Sequence, residues 1–268
     1  MNAIRIENLR KTFGTFPALE GVSLEVERGE LYGFLGPNGA GKTTTIRILT
    51  GLLLPTGGSV AVAGFDVVEE PLEVKRRVGY VPDRAFLYEK LTGREFLEFV
   101  GHLYGMDPRA VRREADPLLE RFELLRWAEE MVEAYSHGMR QKLAMTASLL
   151  HRPEVVIIDE PMVGLDPRSA KRMKQLFLEM VDRGQTVFLS THTLEVAEAL
   201  CSRVAIIRRG SIVAQGTIDE LRRQARHDDG SLEAVFLRLT EESDETPPPP
   251  LLEEGDEGPD LRIVRGGP

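Results

Sequence analysis

The sequence predicts an α/β fold with substantial parallel sheet, on three observations. Short apolar runs of strand length, bounded by Gly, Pro or Asp, recur along the chain, and amphipathic helical patterns fall between several of them. One glycine-rich turn joins a strand to a helix in the manner of a phosphate-binding loop. From residue 83 to about residue 150, by contrast, no buried strand is legible and helical signals dominate, which predicts a mostly helical insertion.

The elements follow in order. "AIRIENL" alternates apolar and polar residues as a half-buried strand does. "LYGFLG" is a strand that ends in "GPNGAGKT", Gly36 to Thr43, after which "TTTIRILTG" continues as a helix. "VGYVP" is the next strand. Thr92 and Glu95 form a capping box ahead of Phe96, Phe99, Val100 and Leu103 at helical spacing. Trp127 and the Phe/Leu stripes of this part are expected to be core or partner-facing packing, core being favoured. In "YSHGM" Ser136 reads as the N-cap of "RQKLAMTASLL". "VVIIDE" is an apolar strand closing on two acids. Asp166 and Pro167 supply an N-cap and a first-turn proline to a helix with Met173, Leu176, Phe177 and Met180 on one face. "TVFLS" and "VAIIRRG" complete the strands, and "SLEAVFLRLT" suggests one late short helix.

Composition sets limits. With 268 residues and 42% apolar content the chain can bury a sizeable core. Its single cysteine, Cys201, excludes an internal disulfide framework and is expected to be a small buried apolar residue. The N-terminus has no apolar segment of a secretory signal, and no apolar run approaches membrane-spanning length. Residues 241–268 carry nine acids against Arg262 and Arg265, so most of the net charge of −9 belongs to them. The remaining body is near neutral and offers no basic stripe for nucleic acid. The segment beyond Thr240, acidic, Pro-rich and without aromatics, is expected to be disordered.

The glycines of "GPNGAGKT" let successive backbone N–H groups turn toward phosphates, and the helix N-terminus adds its dipole. Lys42 would neutralise β- and γ-phosphate oxygens, and the Thr43 hydroxyl would ligate Mg²⁺. Asp159 stands at a strand end fit to hold the metal through water, and Glu160 beside it to orient or deprotonate an attacking water. A nucleoside triphosphate is the implied ligand.

In their order, "GPNGAGKTT", "VGYVPD", "YSHGMRQKLAMTASLLHRPEVVIIDEP", "GLDP" and "STH" resemble the ATPase subunits of ABC transporters, from about Ile4 to Leu221. The resemblance implies a P-loop NTPase with a RecA-like mixed-sheet core, an N-terminal antiparallel part and a helical subdomain. It implies an ATPase domain over 1–221 with the helical subdomain at about 83–150, a short helical extension over 222–240 and the tail over 241–268. ATP and Mg²⁺ are the implied ligands. Gly36, Pro37, Asn38, Gly39, Ala40, Gly41, Lys42, Thr43 and Thr44 would wrap the phosphates, and Phe13 would stack on adenine. Ser136 and Gly138 would contact the γ-phosphate of ATP held by a second cassette. Gly164, Leu165 and Asp166 would carry communication between cassettes, with Asp166 at the nucleotide, and His192 would bond the γ-phosphate and the attacking water.

Two departures from the family pattern stand out. Asp83 replaces the usual Gln after "GYVP"; it keeps an oxygen ligand for Mg²⁺ but loses an amide donor. Tyr135, His137 and Met139 replace the commoner Leu, Gly and Gln around Ser136 and Gly138, and His137 is expected to be a surface or packing residue. These departures are similar to the branch whose ATPases pair with separately encoded polytopic exporters. That branch implies a homodimer, peripheral on the cytoplasmic face of the membrane through a permease, with no nucleic acid partner. A soluble ABC ATPase acting on nucleic acid or ribosomes and a regulatory module that binds ATP without hydrolysis are the alternatives. The near-neutral body disfavours the first, and the presence of Lys42, Asp159, Glu160 and His192 together disfavours the second.

Overall fold

The computed structural model describes residues 2–162 and 166–227. Along the chain, β1 (Asn2–Phe13), β2 (Phe16–Glu27) and β3 (Leu31–Leu35) lead to α1 (Lys42–Leu49), β4 (Gly57–Val62), β5 (Phe65–Asp66), α2 (Pro71–Arg77) and β6 (Val78–Val81). Helices α3 (Gly93–Leu103), α4 (Pro108–Arg121) and α5 (His137–Leu149) follow with no named strand between them. Then come β7 (Val155–Asp159), α6 (Pro167–Asp182), β8 (Thr186–Thr191), α7 (Leu194–Leu200), β9 (Arg203–Arg208), β10 (Ser211–Thr217) and α8 (Ile218–His227).

Two sheets result. The antiparallel one has the order β2-β1-β4-β5, and the larger one the order β10-β9-β3-β8-β7-β6. In the larger sheet β9, β3, β8, β7 and β6 are mutually parallel, and β10 closes the edge as an antiparallel hairpin partner of β9. Strands β3, β7 and β8 are buried at every position, as a parallel sheet covered on both faces requires. Their side chains alternate between two cores. Tyr32, Phe34, Ile157 and Phe188 face the antiparallel sheet and α1, while Leu35, Val156, Ile158 and Leu189 face a second core that includes residues of α3–α6. This α/β architecture, with an antiparallel N-terminal part and helices inserted between β6 and β7, is the one the sequence predicts.

Local expectations fare unequally. The capping box is present, with Glu95 N donating to Thr92 Oγ1 at 3.1 Å and Thr92 N to a Glu95 carboxylate oxygen at 2.8 Å. Met173, Leu176, Phe177 and Met180 are all buried, and Cys201 is buried with its thiol pushed up to about 12 by desolvation. Trp127 is a correction to the favoured core placement: the ring is 41% exposed, because it lies on a surface 3₁₀ turn over Leu125–Trp127, with the Arg126 guanidinium 5.4 Å from the ring centre. On α3, Phe96 is buried but Leu103 is 70% exposed, so only part of that apolar stripe is core. Strand β2 escapes notice in the sequence because Pro17 and Gly21 interrupt its pattern. Helix α8 starts at Ile218, so the expected division after residue 221 falls inside it. The late helix in "SLEAVFLRLT", the acidic tail, Gly164 and Leu165 lie outside the described residues. Among those residues, no helix is long and apolar enough to cross a membrane.

Candidate functional site

The loop after β3 owes its shape to its glycines. A Cβ on Gly36 would lie 2.3 Å from the Ile207 carbonyl oxygen, so the loop passes β9 closely enough to exclude any side chain there. Gly41 has a φ of 109° and caps α1 without a side-chain hydrogen bond. A Cβ there would also meet Leu19 Cδ2 at 2.8 Å. The backbone N–H groups at the head of α1 are thereby left facing a cavity of about 510 Å³. Phe13, Pro37, Asn38, Gly39, Gly41, Lys42, Thr43, Thr44, Asp83, Asp159 and Glu160 all line it. Gly36 sits at the base of this loop, where its carbonyl accepts from Lys42 Nζ at 2.6 Å. Ala40 is buried beneath it, with its carbonyl bonded to Gly210 N at 3.0 Å.

Lys42 is 6% exposed. Its ammonium also donates to Pro37 O at 3.2 Å and lies 3.9 Å from Glu160 Oε1. Burial lowers its pKa, and the carboxylates of Glu160 and Asp159 oppose that shift. Thr43 Oγ1 donates to Asp159 Oδ2 at 3.2 Å, and Ser190 Oγ donates to the other oxygen, Asp159 Oδ1. Adjacency of β7 and β8 produces this contact, since Asp159 is in register with Ser190.

Glu160 then leaves the strand with a φ of 53°, a left-handed conformation uncommon for a residue with a side chain. Its N–H is held by Ser190 O at 3.2 Å. The turn aims the carboxylate back toward α1, where Oε1 meets His192 Nδ1 at 2.9 Å. One carboxylate oxygen thus lies between an imidazole and a buried ammonium, an arrangement able to hold and move a proton.

Thr43 and Asp159 place two oxygen ligands side by side, with Asp83 on the rim of the same cavity. Among the described residues there is no group of three or more His, Cys, Asp or Glu fit to cage an ion. Few protein oxygens facing a phosphate cavity fit a hard octahedral cation that keeps several waters and phosphate ligands.

Sequence reasoning missed several members of the site. Phe16, opposite Phe13 across the Gly14 hairpin turn, lines the cavity with Ala18, Arg47 and Leu53. Ser190 is visible in the sequence only as the first letter of "STH". Tyr80, on β6, is not in the lining of that cavity, but its hydroxyl is pushed up to about 12 by burial and by the nearby Asp159 charge.

Ser136, Gly138 and Asp166 do not line this cavity. Ser136 caps α5, accepting from Met139 N at 3.3 Å, and is exposed on the helical insert together with His137. Asp166 caps α6, accepting from Arg168 N at 3.0 Å, Ser169 N at 3.1 Å and Ser169 Oγ at 2.6 Å, which hold its carboxyl down at about 2.

Residues 19–163 match the ABC transporter family. Among curated proteins, the daunorubicin resistance ATP-binding protein DrrA3 of Streptomyces coeruleorubidus is 43% identical, over 84% of this chain and 72% of its own length. A solved ATP-binding subunit of an ABC transporter superposes with a TM-score of 0.83 at 34% identity, covering 88% of this chain and 99% of that one. A cassette solved as a dimer in a post-hydrolysis state with ADP and phosphate gives 0.75 at 26% identity, covering 80% and 98%.

Proposed function

The chain belongs to the ABC transporter family as an ATP-binding, ATP-hydrolysing subunit, and we propose the division of labour among its residues that follows. The observation that carries it is that Lys42, Thr43, Asp159 and Glu160 line one cavity, with His192, after β8, bonded to the Glu160 carboxylate. The loop N–H groups and Lys42 hold the β- and γ-phosphates, and Phe13 with Phe16 offers an aromatic platform for the base. Water attacks the γ-phosphorus, the bond to the β-phosphate bridging oxygen breaks, and ADP leaves. The Glu160 carboxylate orients that water and accepts its proton. His192 fixes the carboxylate and bonds the γ-phosphate. The Lys42 charge and the N–H dipoles stabilise negative charge spreading over the transferring group. Mg²⁺ would be held by Thr43, with Asp159 acting through water and Asp83 at the rim; when bound it supplies positive charge to the phosphate oxygens.

Ser136 and Gly138 head a helix with exposed N–H groups, away from the cavity. They serve the γ-phosphate of a second copy, and Asp166 lies on the same dimer face. The reading extends to a homodimer on the cytoplasmic face of the membrane, engaging a separately encoded polytopic permease. Resemblance to a daunorubicin resistance protein favours an exporter of organic molecules.

Replacement of Glu160 by Gln tests the chemistry and the partner together. Turnover should fall about 10²-fold or more while ATP binding persists. Tagged E160Q protein purified in mild detergent with ATP and Mg²⁺ should bring a stoichiometric polytopic membrane protein. Equal phosphate release by both forms would remove Glu160 from the mechanism, and recovery of ribosomes or DNA alone would remove the permease.

A further inference from the structure

Ser136 caps α5, but another side chain of that helix ties its entrance to the rest of the insert. Arg140 spreads one guanidinium over three acceptors: Nε donates to Tyr135 O at 3.2 Å, Nη2 to Glu133 O at 3.2 Å and Nη1 to Glu89 Oε1 at 2.5 Å. The two carbonyls belong to the segment entering Ser136. The carboxylate belongs to the stretch between Asp83 and α3. That stretch is knitted to the same entry segment by backbone bonds, Glu133 N to Glu89 O at 3.1 Å, Val132 N to Leu91 O at 2.9 Å and Gly93 N to Glu130 O at 3.1 Å. Lys90 Nζ adds a contact to Glu133 Oε2 at 2.5 Å. From the other side, the Tyr135 hydroxyl donates to Trp127 O at 2.6 Å and occupies the space a Cβ on Gly93 would need, 2.3 Å away.

We propose that Arg140 is a positioning residue that fixes the Ser136 end of α5 to the segment trailing Asp83, and so sets how Ser136 and Gly138 meet a nucleotide held by a second copy. This rests on the reading of α5 as the half-site offered to that copy. Asp83 lines the chain's own phosphate cavity, so the chain from Asp83 to Glu89 joins one half-site to the other, with Arg140 as the clasp at its far end. Three acceptors in three directions need a planar fork of donors. A lysine ammonium, a single point on a flexible stem, cannot span them.

The test uses the full-length chain, carrying Glu160→Gln where dimers are measured. Arg140→Ala and Arg140→Lys should each weaken ATP-driven dimerisation in sedimentation about tenfold, the scale of a lost charged hydrogen bond. They should lower kcat with little change in KM, and leave a fluorescent ATP analogue binding to dilute monomer as before. Glu89→Gln, a milder change that leaves the buried face of α5 intact, should move the same way by about threefold. Because Arg140 acts through Ser136, adding Arg140→Ala to Ser136→Ala should cost nothing further. Unchanged dimerisation in Arg140→Ala, full rescue by lysine, or costs that add to those of Ser136→Ala would overturn the proposal. A parent chain that neither dimerises on ATP nor hydrolyses it would overturn the half-site reading itself, and the positioning role with it.

Discussion

The N-termini of α1 and α5 both lack an acid in the first turn, and they end in different situations. That of α1 is capped by a left-handed glycine, buried against β9 and faced by the carboxylates at the end of β7 and the imidazole after β8. That of α5 is capped by Ser136 on an exposed face of the helical insert, with none of those groups around it. An anion site needs only the helix end, whereas phosphoryl transfer needs the acids and the base that adjacent parallel strands bring to it. By our reading, one chain therefore carries a site with its own catalytic groups and half of another.

The largest contrast should come from Lys42→Ala and Ser136→Ala. Both should cut turnover by about 10²-fold, the scale of losing one charge-stabilising donor. Only the first should abolish binding of a fluorescent ATP analogue to dilute monomer. Loss of monomer binding in Ser136→Ala would erase the distinction between the two helix ends.

A smaller effect separates the glycines. Gly41→Ala meets a left-handed φ and the Leu19 side chain, and should lower stability by about 2 kcal/mol in denaturant melts. Gly138 lies in the first turn of α5. There alanine should leave stability unchanged or raise it by up to about 1 kcal/mol, while ATP-driven dimerisation weakens.

The smallest effect reads the junction where the insert meets the sheet. His151 follows α5, stacks on Tyr104 with ring centres 3.8 Å apart, and meets Val78 O through Nε2 at 3.2 Å. Burial pushes its pKa down to about 4 from the usual imidazole value of 6.5. Between these values the unfolded chain binds the extra proton, so stability from this group is complete above pH 6.5 and falls as pH drops toward 4. His151→Gln should flatten that part of the stability profile by an amount on the order of 1–2 kcal/mol. An unchanged slope would place the acid sensitivity elsewhere.

Much of this was legible before any coordinates. The P-loop motif works through backbone geometry that glycine dictates locally, so Gly36, Gly41, Lys42 and Thr43 could be read from their spacing. The strands β3, β7 and β8 announced themselves because burial on both faces demands continuous apolar runs. The capping box at Thr92 and the cap at Asp166 are one-turn interactions and were equally plain. Trp127 was misread because an apolar side chain in a helical stretch carries no label for which side of the surface it will occupy. Phe16 and Arg47 were missed because nothing in their own neighbourhood says that a hairpin and a helix face will border one cavity.

The sequence by itself determined most element types and the glycine-rich loop, because these depend on contacts within a few residues, whereas His192 entered only through resemblance to the family. The tertiary structure alone decided that Asp159 would reach Thr43 and Ser190, and that Glu160 would turn between Lys42 and His192. It also decided that Ser136 would stand apart from all of them. Those relations depend on strand order and register, which join residues 31 to 118 positions apart and leave no trace in local pattern.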